Sequence, residues 1–533
     1  DIVRGVSKVF PLFFFAVAAL VCITTMTRMV DEQRTQAGVL KALGYSNSAI
    51  LSQYFLYAGT ASLLGCVLGI AAGSYFLPKM IWHAYNIMYG FTGILYAFDW
   101  PLALISSGAY LLCALGTTWY VVHAELQKPA AELIRPKAPK AGKRILLERL
   151  PLIWDRLPFL HKVSIRNILR FKKRMVMMMI GIGGCTALLI TGFGIQDSIS
   201  SVVDYQYDEI TRYDAAVTFQ HALSGSERED FLAVCEESSA GGCLFVAEKS
   251  LDASKGSTVK TTNVVCPESG SVDGFIDLHT QEKTPIPYPQ DGGCIISRGL
   301  AQALRLSAGD TITLQTGDMR RTELTVEAVF ENYVYNYVYL TQTTWQDVFG
   351  EAPGYEAAWV NYQTDEDAQA ASAALAGAKN AAAVTLSRDF RSRVATMMQS
   401  LRYIVLVVVL GAAALAFIVL YNLTNINITE REREIATIKV LGFYDGETNR
   451  YVFRENIILT VLGALLGLPM GTLLHAYVMG QIKIDLMCFD VRVAPLSYLI
   501  SAALTLVFGL LVNLALRRKI RAIDMSQALK SIE

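Results

Sequence analysis

The sequence predicts an α-helical polytopic membrane protein, built from two repeated three-span blocks and one further leading span, with a single mixed α+β extracytoplasmic domain. Three observations carry the prediction. Of the 533 residues, 53% are apolar, which is high for a soluble protein. Seven stretches reach the roughly 20 apolar residues that a helix needs to cross the hydrocarbon core. Two charged phrases, "DEQRTQAGVLKALGY" at 31–45 and "TEREREIATIKVLGF" at 429–443, read as copies of one another.

In chain order, the spans fall near 9–29, 52–77, 102–123, 175–195, 402–422, 455–478 and 496–516. They divide the chain into a first block (1–135), a basic linker with an amphipathic helix (136–174), a leading span (175–195), an outer domain (196–400) and a second block (401–533). Charge orients them. Residues 124–174 hold 14 Lys or Arg against four acids, and the positive-inside rule places that segment, with "RRKIR" at 517–521, in the cytoplasm. Residues 196–400 carry 29 acids against 14 bases and no span, which fits an outer domain. Counting back puts Asp1 outside; with no initiator Met, the reading expects a chain that starts partway through a longer protein.

The linker ends in "HKVSIRNILRFKKR", 161–174, whose Val163, Ile165, Ile168, Leu169 and Phe171 alternate with cations, a pattern for a helix on the inner membrane surface. In the outer domain, "TELTVEAVF" and "ENYVYNYVYL" alternate as strands do, and the second places Tyr333, Tyr335, Tyr337 and Tyr339 on one face. Such a row either packs across strands or meets a substrate or accessory protein. Cys235, Cys243, Cys266 and Cys294 lie there too, with three pairings open or none.

The phrases align without gaps at an offset of 398: Lys41, Leu43, Gly44 and Tyr45 fall on Lys439, Leu441, Gly442 and Phe443. Beyond them Gly65, Gly69 and Gly73 fall on Gly463, Gly467 and Gly471, which argues for internal duplication. By symmetry a first leading span and outer domain are expected upstream, for eight spans. Glycines every fourth residue suit close helix packing. Each phrase is expected to be a short helix. Thr429 with Glu432 reads as a capping box, Ile435, Ile438 and Leu441 as an apolar stripe, and Gly442 as a left-handed end. Asp31, the stripe Ala37, Leu40 and Leu43, and Gly44 repeat the plan. One such charge run is ordinarily a solvated face; the same stripe and stop signal occurring twice suit a pair of helices docking into a two-fold partner.

"EREREIATIKVLGF" before a glycine-rich span, and "SIRNILRFKKR" leading into another, resemble the FtsX-like permeases, the membrane subunits of the type VII ABC transporters that include MacB and the lipoprotein-extracting Lol complex. "CIISRGLAQALRLSAGDTITL", 294–314, looks like part of the MacB-type periplasmic core. The resemblance implies coupling helices seated on an ABC ATPase dimer, with Glu430, Glu434, Lys439 and Gly442, and Glu32, Lys41 and Gly44, as coupling residues. Gln36 stands where the second copy has Glu434.

The sequence contains no GxxxxGK[ST] phosphate loop, so ATP is expected on a separate subunit and no cofactor on this chain. No catalytic residues, metal ligands or nucleic-acid partner are expected. His475, inside a span without an acid on its own helix, is expected as a neutral, hydrogen-bonded group. The implied function is a permease that exports or extracts a peptide, lipid, lipoprotein or amphipathic drug at the bacterial cytoplasmic membrane, in contact with its lipid. The alternative is a regulator that activates a cell-wall hydrolase or senses antimicrobial peptides. A membrane enzyme would need a catalytic pair, and none stands out.

Overall fold

A computed structural model describes residues 2–89, 93–135, 172–238, 240–362, 368–482 and 487–523, with a few helical positions between 162 and 169. The basic linker and most of the amphipathic stretch, with Val163 and Phe171, lie outside the described residues. The chain forms two compact units. One is a membrane unit of Val3–Asp197, Arg402–Gln481 and Arg492–Glu533, and the other consists chiefly of Ser198–Leu401 with Ile482–Val491.

The first block consists of α1 (Ile2–Glu32), α2 (Arg34–Ala42), α3 (Asn47–Tyr89), α4 (Trp100–Leu126) and the short α5 (Ala130–Ile134). Helix α4 starts where Asp99 accepts a hydrogen bond from the Leu102 amide, 3.0 Å, with Pro101 in its first turn. Next comes α6 (Lys172–Asp204), which contains the leading span and ends in a π-helical turn, Tyr205–Ile210.

The outer domain follows: β1 (Ala215–Phe219), α7 (Gly225–Glu237), β2 (Ala240–Lys255), β3 (Thr258–Pro267), β4 (Gly293–Ser297), α8 (Arg298–Leu304), β5 (Thr311–Gln315), β6 (Arg321–Phe330), β7 (Tyr337–Tyr339), α9 (Gln342–Phe349), β8 (Ala357–Tyr362), α10 (Ala368–Ala376) and β9 (Ala381–Leu386). The second block is α11 (Ser387–Glu430), α12 (Glu432–Val440), α13 (Asp445–Gln481) and α14 (Pro495–Arg521). Seven of these helices, α1, α3, α4, α6, α11, α13 and α14, are long and apolar enough to cross a membrane.

The strands run in the order β3-β7-β4-β6-β5-β2-β8-β1-β9, and because β2 also pairs with β3, six of them close into a ring. Alternation sorts the side chains. Val217, Ala247, Val264, Val338 and Ala358 point into the core with Trp345 and Leu300, whereas Ala216, Glu248, Asn263, Tyr337 and Trp359 point to the opposite face. Residues 487–491 add to this unit: the Cys488 amide donates to the Tyr333 carbonyl, 2.9 Å. The tyrosine row is not one strand. Tyr335 takes φ +60°, so only Tyr337 to Tyr339 continue as β7, and Tyr333 is buried against Tyr205 instead. All four outer-domain cysteines are free thiols.

The two glycine rows differ in the membrane unit. A Cβ added at Gly463 or Gly471 would stand 2.7 Å from the Cβ of Ile182 or Ile190, and one at Gly467 would stand 2.8 Å from the Gly183 carbonyl oxygen. Helices α13 and α6 therefore meet backbone to backbone, as small residues in apolar helices permit. Gly65, Gly69 and Gly73 do not repeat this. Among the described residues nothing comes within 4 Å of a Cβ at Gly65 or Gly69, and at Gly73 only Leu77 of the same helix does. The packing expected of the first row is absent among the described residues, where no helix occupies that face of α3. His475 is buried against Gly194 of α6.

Candidate coupling site

Neither charged phrase starts a new helix with a cap. Helix α11 runs through Thr429, whose hydroxyl donates back to the Asn425 carbonyl, 3.0 Å, and accepts from Lys519, 3.0 Å. The break falls at Arg431, and α12 begins at Glu432 without a side-chain cap. In the first block α1 likewise continues through Asp31 and Glu32, and Gln33 is the break. The expected capping box is absent because the polypeptide never leaves the helical region long enough to need one.

The far ends match the sequence reading in both copies. Gly44 has φ +90° and Gly442 φ +92°, values that an L side chain adopts only under strain. The Tyr45 amide donates to the Leu40 carbonyl, 3.1 Å, and Gly44 to Lys41, 3.2 Å; Phe443 donates to Ile438, 3.4 Å, and Gly442 to Lys439, 3.1 Å. Both ends are therefore Schellman motifs, which satisfy carbonyls that a helix end leaves open.

The stripes are buried at their beginnings, Ala37 and Ile435, and emerge at their ends: Leu43 and Leu441 are each 71% exposed. With Val39 and Tyr45, and with Val440, Phe443 and Tyr444, they give each helix an uncovered apolar tip. In the sequence Leu43 and Leu441 read as the last members of an apolar stripe suited to docking; that only the far end of each stripe is uncovered was not visible there.

The charged residues take unequal positions. Lys41 turns inward, and its Nζ donates to the carbonyls of Leu126 and Lys128 at 2.6 and 2.8 Å, where α4 ends. Lys439 does the same at the end of α14, donating to the Arg521 carbonyl at 3.1 Å. A cation at a helix C-terminus satisfies open carbonyls and the negative end of the dipole. Both lysines thus tie their helix to the third span of their half. Glu434 accepts from Arg431 Nε, 2.9 Å, and stays half exposed. Glu32 lies 3.7 Å from Arg28, one turn back, and Glu430 is exposed at the end of α11.

Sequence reading also missed Arg431, fully buried with Glu455 of α13 as its ion-pair partner, its Nη2 donating to the Tyr451 hydroxyl at 3.0 Å. The first half braces its copy otherwise. Arg34 of α2 lies 3.0 Å from Glu125 and donates to the Glu132 carbonyl, 2.9 Å, and α5 packs on Gly38, where a Cβ would stand 2.9 Å from Leu133.

Comparison with known proteins agrees with this architecture. The family model described as FtsX-like permease C-terminal matches residues 8–125 and 406–525, and that described as MacB-like periplasmic core domain matches 175–378. Similar solved structures include the extracellular domain of the noncanonic ABC-type transporter YknZ from Gram-positive bacteria, at 17% identity and a TM-score of 0.24, covering 32% of this chain and 98% of that one. Another is the periplasmic region of MacB from Actinobacillus actinomycetemcomitans, at 11% identity and 0.24, covering 34% and 92%. No curated protein sequence matches the chain. The two family models take in both membrane blocks and the outer domain between them, and the chain belongs to the FtsX/MacB-like permeases of the type VII ABC transporters, multi-pass proteins of the bacterial inner membrane whose ATPase is a separate subunit.

Proposed function

We propose that this permease is a mechanotransmitter: α2 and α12 seat on the two halves of an ABC ATPase dimer, and ATP-driven closure moves the spans and through them the outer domain. The cargo acted on is a peptide, lipid, lipoprotein or amphipathic drug already outside or in the outer leaflet. The observation that carries the reading is the duplicated apolar tip. Leu43 and Leu441 occupy equivalent places at the ends of two Schellman-terminated helices and are uncovered in both. Exposed apolar side chains repeated at equivalent positions suit a partner that is itself two-fold.

Gly442→Val tests this. Nothing among the described residues crowds position 442, so the cost comes from φ, about 1–2 kcal/mol at the helix end. The variant should insert in the membrane as the parent does but lose most of the stimulation of its ATPase and co-purify with it poorly. Normal stimulation together with normal co-purification would remove α12 from the coupling role.

A further inference from the structure

The outward face of the outer-domain sheet holds a cavity of about 310 Å³ whose chemistry is distinct from the coupling site. Its floor is set by strand alternation. Glu248 of β2, Tyr337 and Tyr339 of β7 and Trp359 of β8 all stand on the face turned away from the apolar core. Tyr213 stacks on Trp359 with ring centres 5.0 Å apart, and Tyr337 stacks on Tyr339 at 6.4 Å. Tyr335 enters from the side, its φ of +60° turning it out of the strand.

The walls are fixed by amides that are already engaged. Gln206, in the π-helical turn, accepts from the Tyr333 and Val334 amides at 2.8 and 3.2 Å and donates to Asn332, 2.9 Å. Asn332 in turn donates to the carbonyls of Val334 and Tyr335. These groups hold the cavity open and have little left to offer a ligand.

One polar group is not committed. Among the described residues the Glu248 carboxylate has no hydrogen-bond or ion-pair partner, and no Lys, Arg or His lines the cavity. The protein around it raises its pKa above the usual carboxylate range, while the side chain remains exposed to solvent. An exposed carboxylate without a protein partner is open to a cation arriving from water, and aromatic faces present negative quadrupoles to one.

We propose that this cavity is a binding site for a water-soluble organic cation with an apolar body, its ammonium group set against Glu248 and its apolar part on the tyrosine and tryptophan rings. A volume of this size lies at the lower end of small-molecule sites. A metal ion is a poor fit, since a hard cation takes six or more oxygens and the amide oxygens of Gln206 and Asn332 are occupied.

The test uses the full chain in phosphatidylglycerol nanodiscs, titrated calorimetrically with benzyltrimethylammonium. It involves no ATPase, so its failure and a failure of the coupling reading are distinguishable. Saturable one-site binding is expected. Glu248→Gln should weaken it about tenfold, the factor that loss of one charge-assisted contact carries. Tyr337→Leu should weaken it too through loss of a ring face, and benzyl alcohol should bind parent and Glu248→Gln alike. Absence of saturable binding overturns the site, as does unchanged affinity in both variants, or benzyl alcohol binding as tightly as the cation. Competition by phosphatidylcholine discs would overturn the assignment to a soluble ligand and indicate a lipid headgroup.

Discussion

Arg431 marks a difference between the two halves. It and Glu455 are almost wholly buried, 2% and 1% exposed, where the first half has Gln33 and Tyr57. Removing one partner of a buried pair leaves a charge uncompensated, a loss of about 3–5 kcal/mol, whereas removing both costs far less. Glu455→Gln should therefore lower the thermal stability of the detergent-solubilised protein sharply, and Arg431→Gln in the same chain should restore part of it. Strict additivity of the two substitutions in a double-mutant cycle would show that the pair does not act as a unit. None of this was legible in the sequence, because 24 residues and a helix break separate the partners. Gly442 was legible, since a glycine that ends an apolar stripe has a local, steric reason to be there. Thr429 misled for the converse reason: a threonine after an apolar run reads as a start, yet its hydroxyl bonds one turn back within a continuing helix.

At the scale of elements, duplication in sequence is not duplication in packing. The three glycines of α13 admit α6, while their counterparts on α3 meet no other helix among the described residues. Gly467→Leu should accordingly disrupt the α6–α13 contact, with a loss of several kcal/mol from forced overpacking, and Gly69→Leu should leave thermal stability nearly unchanged. Equal losses at both positions would mean that a helix covers α3 in the membrane. The row was visible in the sequence at both sites; what seats on it was not, because spacing reports a face and says nothing of its neighbour. The tyrosines of "ENYVYNYVYL" make the same point. Their alternation promised one strand, and side-chain amides of Gln206 and Asn332, remote or out of register, broke it at Tyr335.

For the whole molecule, the seven spans and the outer domain between the blocks followed from composition and charge alone, since the bilayer leaves a chain few alternatives. How force would enter was less visible, because the tips of α2 and α12 become meaningful only once Leu43 and Leu441 are seen uncovered. If both tips share one ATPase dimer, Leu43→Glu and Leu441→Glu should each reduce ATPase stimulation in reconstituted vesicles. The double variant should abolish it. Full stimulation in the double variant would remove the tips from the interface.

The inward lysines add a mechanical consequence. Each short helix is continuous in chain with the span before it, through a single broken residue, and is hooked through Lys41 or Lys439 to the last carbonyls of the third span of its half. In kinematic terms each half is a closed linkage rather than a cantilever. A load on the short bar would be shared at once by two rods and would tilt them together instead of bending one, and the stiffness of such a linkage would reside in its lysine hook.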